Sequence, residues 1–162
     1  PLPPQDVYGV SYTPVATHAS SSPLTEASVE LIPPSSLLSA SPLFKTLDCG
    51  TISGSELDFN SPFCVECTTA GDVRCLVVHF DTIFSPEGGV SVSFSTSASG
   101  TPTHWKQVAL HLAAPMGVEA GDELGGTISL VRNSGDTRGY DVSLSFRKNR
   151  EGEDIHQLFR LH

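Results

Sequence analysis

The stretch YDVSLSF, residues 140–146, alternates apolar and polar side chains along its whole length. Its apolar members share one parity: Tyr140, Val142, Leu144 and Phe146. Successive side chains of a β-strand point to opposite faces of a sheet. The stretch therefore predicts a strand with one face in a protein core and the other face in solvent.

The same alternation occurs earlier in the chain, in VSVSFS at residues 90–95 and in TISL at residues 127–130. Turn-forming sequences flank these segments: Glu87-Gly88-Gly89, Gly121-Asp122 and Asn133-Ser134-Gly135-Asp136. Glycine, asparagine and aspartate favour tight turns between neighbouring strands. Because no segment shows the period of an amphipathic helix, the pattern predicts strands that pair with antiparallel neighbours.

Further strands are predicted at residues 29–32, 43–48, 108–112 and 155–161. Residues 57–65 keep one parity across Pro62, which predicts an edge strand or a bulge because proline donates no hydrogen bond. Residues 73–84 are apolar on both parities, which predicts one strand covered on both faces. The sequence as a whole predicts an all-β fold, an antiparallel β-barrel or sandwich of about 8 to 10 strands.

The N-terminal residues have a different composition, with four prolines before residue 15 followed by a serine run. Such a segment does not pack on itself and is expected to be a linker or an extended arm that becomes ordered on another surface. Apolar and aromatic residues favour the arm: Val7, Tyr8, Val10 and Tyr12. We therefore divide the chain into an arm or linker at 1–28 and a β-barrel domain at 29–162.

The chain carries 18 acidic residues against 9 Lys and Arg, a formal charge of −9. This balance predicts a basic partner and neither nucleic acid nor an anionic membrane surface. No apolar run approaches the roughly 20 residues of a membrane span, and no basic and apolar leader opens the sequence. Since the chain also begins at Pro1, we expect a soluble piece of a longer protein.

Four cysteines, Cys49, Cys64, Cys67 and Cys75, are expected to be unpaired thiols in an intracellular, reducing compartment, with a zinc site or disulfides as the alternatives. The histidines lack metal-ligand spacing, so no metal is expected.

His79 and Asp81 share a parity and could form a hydrogen-bonded pair, but the sequence shows no nucleophile beside them. No glycine-rich phosphate loop, GxSxG elbow or HExxH motif is present.

The segment GTPTHWKQVALHL, residues 100–112, places a histidine and the single tryptophan side by side before a strand. Together with its surroundings it resembles the C-terminal β-barrel of the protein arginine methyltransferases. The matching runs are Ser95-Thr96-Ser97, Thr103-His104-Trp105-Lys106-Gln107, Pro115 and the glycine-rich step at 121–128. Shorter matches are S-P-F at 61–63, F-D-x-x-F at 80–84, N-x-x-x-x-R at 133–138 and V-Y-G at 7–9.

The resemblance implies a division of labour between two domains. In this family an upstream Rossmann-like domain binds S-adenosylmethionine, and the barrel closes one wall of the arginine pocket with its T-H-W loop. The upstream domain is absent from this chain, so the resemblance implies no cofactor and no activity for the chain alone. It further implies arginine-rich protein substrates, a cytoplasmic or nuclear location and, from the T-H-W form, type I enzymes that make asymmetric dimethylarginine.

The T-H-W resemblance gives Thr103, His104 and Trp105 as candidate substrate-binding residues, with His104 as the candidate catalytic residue for pocket support or proton relay. A guanidinium ion is weakly hydrated and stacks on aromatic faces, which suits a wall built on Trp105. An imidazole can hydrogen-bond to carboxylates or carry a proton. The alternative is that Trp105 plugs the barrel core and His104 is a satisfied residue of its rim.

The V-Y-G match implies a dimerisation arm for a head-to-tail homodimer, carried by Val7, Tyr8, Gly9, Val10 and Tyr12. A rival interpretation from another functional class is a free-standing β-sandwich module that binds a glycan or a protein, with Trp105 as its platform.

Overall fold

The structure is a computed structural model and describes residues 6–7, 9–11, 13, 25–136, 138–150 and 152–162. Eleven strands lie within these ranges: β1 Asp6–Val7, β2 Val10–Ser11, β3 Ser28–Glu30, β4 Phe59–Glu66, β5 Gly71–Val78, β6 Asp81–Phe84, β7 Val92–Ser95, β8 Gln107–Val118, β9 Glu123–Arg132, β10 Tyr140–Lys148 and β11 Ile155–Leu161. Two short 3-10 helices cover Pro34–Ser36 and Gly54–Leu57. Neighbouring strands pair antiparallel throughout, which confirms the predicted fold class.

Two sheets form the body of the molecule. One has the order β11-β10-β9-β4 and the other has the order β3-β8-β5. The chain passes directly from β4 to β5 on one side. On the other side the amide of Ala27 donates to the carbonyl oxygen of Arg160 at 2.8 Å, and the amide of Arg160 donates to Thr25 at 2.7 Å. The two sheets are thus joined at both edges, as a barrel requires.

The alternating stretch at residues 140–146 lies at the centre of the core. Strand β10 pairs with β9 and β11, so that Leu144 faces Ile128, and Phe146 faces Gly126. The buried apolar side chains of both sheets form one cluster: Cys67, Val73, Leu110, Leu112, Val118, Leu124, Ile128, Val142, Leu144, Phe146 and Phe159. The inward parity predicted for residues 140–146 is therefore the parity observed.

Strand β4 lies at the edge of its sheet and pairs with β9, which places Pro62 opposite Thr127. This confirms the edge position predicted from Pro62, since an edge strand leaves half of its backbone groups outside the ladder. The turns are also where the sequence placed them. Gly88 and Gly121 have φ angles of 70° and 91°, in the left-handed region that glycine adopts without a steric penalty.

Two strand predictions are wrong. Residues 73–84 form two strands in different sheets, β5 and β6, and the chain leaves the barrel between them at His79 and Phe80. Residues 43–48 form no strand, and the Asp48 carboxylate accepts hydrogen bonds from the Gly50 amide at 2.9 Å and the Thr51 hydroxyl at 3.0 Å. Apolar residues on both parities do not reveal whether a strand continues or changes its sheet.

The described part of the N-terminal arm contains a small hairpin of β1 and β2, in which Val7 pairs with Val10. Gly9 in its turn has a φ angle of 77°, and Val10 is exposed. Tyr8 and Tyr12 lie outside the described residues. Strand β3 begins at Ser28, and the division between arm and barrel at residue 28 stays a prediction.

Candidate functional site

The loop between β7 and β8 carries Thr103, His104 and Trp105 at the point where the chain returns to the barrel. The amide of Lys106 donates to the carbonyl oxygen of Thr103 at 3.2 Å, which closes a turn around the histidine and the tryptophan. Lys106 has a φ angle of 57°, an uncommon conformation for a residue with a side chain. The turn therefore places the two rings outward at a cost in backbone strain.

Trp105 belongs to an aromatic cluster that we define as Phe80, Phe94 and Trp105. The indole stacks on Phe94, with ring centroids 5.4 Å apart and planes 17° apart, and it meets the edge of Phe80 at 6.0 Å. Trp105 as a residue is nevertheless 48% exposed. Trp105 is thus braced from below and open above, which contradicts the alternative that it plugs the barrel core.

The His104 ring lies beside the indole, with the two ring centroids 4.0 Å apart and their planes inclined at 34°. The residue is exposed, and no hydrogen bond to another described residue holds the imidazole. The buried hydroxyl of Thr103 likewise has no hydrogen-bond partner among the described residues. All three predicted residues therefore lie together. The His104 imidazole is open to a ligand or a further protein surface, whereas the Thr103 hydroxyl is buried.

Beneath the loop, buried polar side chains connect its two ends. The Gln107 side chain amide donates to the carbonyl oxygen of Thr96 at 2.6 Å and accepts from the amide of Ile32 at 2.9 Å. The Thr96 hydroxyl exchanges hydrogen bonds of 3.0 Å with the backbone of Phe80. In the sequence, Gln107 stood out only as part of the T-H-W-K-Q match, because it has the parity opposite to the core-facing Leu110 and Leu112.

Strands β6 and β7 form a hairpin that projects beside this loop, and we call residues 80–95 the exposed hairpin. Its large apolar side chains are accessible over much of their surface: Phe80, Ile83, Phe84, Val90 and Val92. Phe84 pairs with Val92 on one face of the hairpin, and Ile83 lies on the other face. Exposed apolar surface is a feature of interaction sites. Periodicity had indicated buried strands here, so the exposure is a finding of the structure.

His79 and Asp81 do approach each other where the chain leaves the barrel, but their Nδ1 and Oδ1 atoms are 3.6 Å apart. The buried Nδ1 atom has no hydrogen-bond partner among the described residues. The hydrogen-bonded pair that the shared parity predicted is therefore not formed, because the chain bends at this point instead of continuing as one strand.

A second polar cluster fastens β3 to β8. His111 Nε2 lies 2.9 Å from the Glu30 carboxylate, and the Ser28 hydroxyl donates to the same carboxylate at 2.6 Å. The Ser28 hydrogen bond and the neighbouring His111 lower the pKa of Glu30. Cys75 pairs with His111 across the sheet, and burial followed by the Glu30 charge raises the pKa of its thiol. This cluster is structural, since it holds the short edge strand in place.

The four cysteines are free thiols, with Cys49 and Cys64 exposed and Cys67 buried. Burial raises the pKa of the Cys67 thiol. Among the described residues, His, Cys, Asp and Glu form no group of three suited to a metal ion. In the same part of the chain, no helix has both the length and the apolar character needed to cross a membrane.

Comparison with known proteins gives a match over most of the chain. Residues 5–151 match the family model described as the arginine methyltransferase oligomerization subdomain. The curated relatives include the probable protein arginine N-methyltransferase 1.2 of Arabidopsis thaliana, 27% identical over 89% of this chain and 38% of the relative. Protein arginine N-methyltransferase 8-B of Danio rerio is 29% identical over 92% of this chain and 34% of the relative. The chain thus spans about a third of the length of these relatives.

Solved structures share this architecture. The Trypanosoma brucei PRMT1 enzyme–prozyme heterotetrameric complex with AdoHcy contains a chain that superposes with a TM-score of 0.81 at 26% identity, over 98% of this chain and 49% of that one. Arabidopsis thaliana protein arginine methyltransferase 10 gives a TM-score of 0.76 at 20% identity, over 94% and 48%, which supports the shared fold alone.

Proposed function

The chain belongs to the arginine methyltransferase oligomerization subdomain family, and we propose that it is the barrel of an S-adenosylmethionine-dependent protein arginine N-methyltransferase. In this proposal the T-H-W loop supplies one wall of the pocket that receives the substrate arginine. The cofactor domain lies in the part of the enzyme that this chain does not include. The observation that carries the proposal is Trp105, which is half exposed and braced by two further aromatic rings.

The geometry suits a guanidinium ion. A planar, weakly hydrated cation stacks on an aromatic face, and such contacts strengthen when water is excluded. Phe94 and Phe80 hold the indole at 5.4 and 6.0 Å, so the indole does not need to be ordered when the substrate binds. His104 beside it offers a nitrogen to a carboxylate of the cofactor domain, which would support the pocket or carry a proton.

The exposed hairpin is the surface that we assign to the cofactor domain. It adjoins the T-H-W loop through the Phe80 and Phe94 rings, so a domain resting on it would also close over the loop. Its apolar side chains gain by removal from water, at roughly 25 cal/mol for each Å² buried. This arrangement explains why alternating strands of the body are covered within the chain whereas those of the hairpin are not.

The assembly and the substrate class are proposed on the same basis. The family is described as an oligomerization subdomain, and the Trypanosoma brucei complex is heterotetrameric. We assign a homodimer contact to the N-terminal arm, with Val7, Tyr8, Gly9, Val10 and Tyr12 on the partner's cofactor domain.

The formal charge of −9 favours arginine-rich substrates through long-range attraction. Free thiols fit a cytoplasmic or nuclear location.

The pocket role is tested by methyl transfer from S-adenosylmethionine to an arginine-rich peptide, catalysed by the complete protein. We expect His104→Ala to lower kcat about 10- to 100-fold, since a misplaced pocket costs about that much. His156→Ala is the matched control, because His156 is exposed on β11, in the body of the barrel. An unchanged rate for His104→Ala would remove the pocket role. The 162-residue chain alone should neither bind the cofactor nor methylate.

A free-standing β-sandwich module for a glycan or a protein was the rival interpretation. The match of residues 5–151 to a methyltransferase subdomain favours a barrel that works beside a cofactor domain. The hairpin's exposed apolar surface also points to a protein neighbour.

A further inference from the structure

Gln107 occupies an unusual position for an uncharged polar residue. It is the first residue of β8, directly after the strained Lys106, and it is only 2% exposed. Its side chain amide uses both ends, since Nε2 donates to the Thr96 carbonyl oxygen at 2.6 Å and Oε1 accepts from the Ile32 amide at 2.9 Å. Thr96 directly follows the hairpin strand β7 and Gln107 begins β8, so these two residues bound the T-H-W loop.

The hydrogen bonds continue from Gln107 to the aromatic cluster. Thr96 is buried, and its amide and hydroxyl both donate to the carbonyl oxygen of Phe80 at 3.0 Å. The hydroxyl also accepts from the Phe80 amide at 3.0 Å. The Phe80 ring in turn meets the indole of Trp105. A connected series of contacts therefore runs from Ile32, two residues after β3, through Gln107 and Thr96 to the ring that supports Trp105.

We propose that Gln107 is a positioning residue that clasps the neck of the T-H-W loop and thereby sets the orientation of Trp105 and His104. Without the clasp, Lys106 is free to leave its left-handed conformation, and the turn that carries both rings opens. A buried hydrogen bond of this kind shifts the balance between the clasped and the open loop about fivefold or more. The consequence for substrate binding rests on the proposed function, whereas the clasp itself does not.

Trp105 is the single tryptophan of the chain, so its fluorescence reports the loop directly. The test compares Gln107→Met, which keeps the volume and removes both hydrogen bonds, with Gln107→Asn, whose amide is one methylene too short to reach both partners. Gln157→Met and Gln157→Asn are the matched controls. Gln157 also uses both ends of its amide on backbone groups, the Ala113 amide at 3.1 Å and the His111 carbonyl oxygen at 3.2 Å, farther along β8 from the loop.

We expect both Gln107 variants of the 162-residue chain to shift the emission to longer wavelength and to raise quenching by acrylamide. The Gln157 variants should keep the wild-type emission and quenching. If Gln107→Met does not fold, Gln107→Asn carries the comparison, at a temperature where circular dichroism shows all proteins to be folded. If the Gln107 variants show the same emission and quenching as the Gln157 variants, Gln107 does not set the orientation of the loop.

In the complete protein, we expect Gln107→Asn to raise KM for an arginine-rich peptide or to lower kcat about fivefold relative to Gln157→Asn. This result supports the positioning of the pocket by Gln107. Altered emission with unchanged methyl transfer would uphold the clasp and count against the pocket role of the T-H-W loop, so the two claims fail separately.

Discussion

Strand β10 and the exposed hairpin have the same kind of sequence and opposite surroundings. In YDVSLSF the apolar side chains are buried, and Phe146 is 1% exposed. In VSVSFS and the strand paired with it, apolar residues of the same character are open to solvent, with Val92 at 62% and Phe84 at 58%. Both segments form regular antiparallel ladders, so backbone pairing does not distinguish them.

The difference teaches that alternation identifies which side chains share a face, but not what covers that face. The barrel covers β10 with the opposite sheet of the same chain. The hairpin leaves the barrel at His79 and Phe80, and among the described residues no second sheet lies against it. An apolar strand face without an intramolecular neighbour marks the position of an intermolecular or interdomain neighbour. The T-H-W loop adjoins this hairpin through the Phe80 and Phe94 rings.

The largest change in stability is expected in the barrel core and not in the exposed hairpin. We expect Phe146→Ala to lower the free energy of unfolding by about 3 to 5 kcal/mol, because it empties a fully enclosed site in the core. Phe84→Ala should change it by about 0.5 kcal/mol or less in the 162-residue chain, since the ring is mostly in solvent. Urea unfolding monitored by circular dichroism measures both. Equal losses of unfolding free energy would contradict the difference in burial between the barrel core and the hairpin.

The second prediction concerns the packing that only the barrel requires. Gly126 lies between Phe63 and Phe146, which face it from β4 and β10, and an added Cβ atom would collide with the Ser145 carbonyl oxygen and with Phe146. We expect Gly126→Ala to destabilise the chain by about 1 to 3 kcal/mol, as overpacked cores do.

Gly125→Ala supplies the control within the same strand, because a Cβ atom at Gly125 would meet no atom within 4 Å. It should have a much smaller effect in the same urea titration. If both glycine variants lose stability equally, strand propensity rather than close packing governs this part of the barrel.

The third and smallest effect is a pH dependence at the rim of the barrel. The Asp58 carboxylate accepts hydrogen bonds from the Arg132 guanidinium at 2.8 and 3.0 Å and from the Arg132 amide at 2.8 Å. These contacts lower the pKa of Asp58 from 3.8 to about 2. A carboxylate whose pKa is lower in the folded than in the unfolded state stabilises the fold at pH values above its unfolded-state pKa. This stabilisation is lost as the pH falls through the folded-state pKa.

Asp58→Asn should therefore be less stable than the wild type at pH 7, and this gap should close as the pH falls from about 4 to about 2. Thermal unfolding of both proteins across this range measures the gap. A gap of constant size would show that Asp58 contributes through the neutral hydrogen bond to the Arg132 amide rather than through its charge.

Part of this molecule could be predicted from residues alone. The period of residues 140–146 predicted a half-buried strand, Pro62 predicted an edge, and the glycine and asparagine clusters predicted turns, because each depends on local stereochemistry. The cluster of Thr103, His104 and Trp105 followed from a resemblance in sequence. Its outward orientation follows from the turn at Lys106, which no periodicity encodes.

The errors have a common physical cause. Residues 73–84 were expected to be one covered strand, and the bend at His79 depends on which sheet each half joins. Tertiary contacts, and not the local sequence, decide which sheet each half joins. The clasp by Gln107 also joins residues that are distant in sequence, Ile32 and Thr96. The local pattern places Gln107 on the face opposite to Leu110 and Leu112 and gives no sign that it is buried or of its partners.

The central claim is that the exposed hairpin and the T-H-W loop are covered by the remainder of a methyltransferase. Hydroxyl-radical labelling tests it most directly, by comparing the 162-residue chain with the complete protein. We predict that Phe80, Phe84 and Val92 become protected in the complete protein, while the exposed Leu158 on β11 is labelled equally in both. Equal labelling of the hairpin residues in the two proteins would contradict the claim.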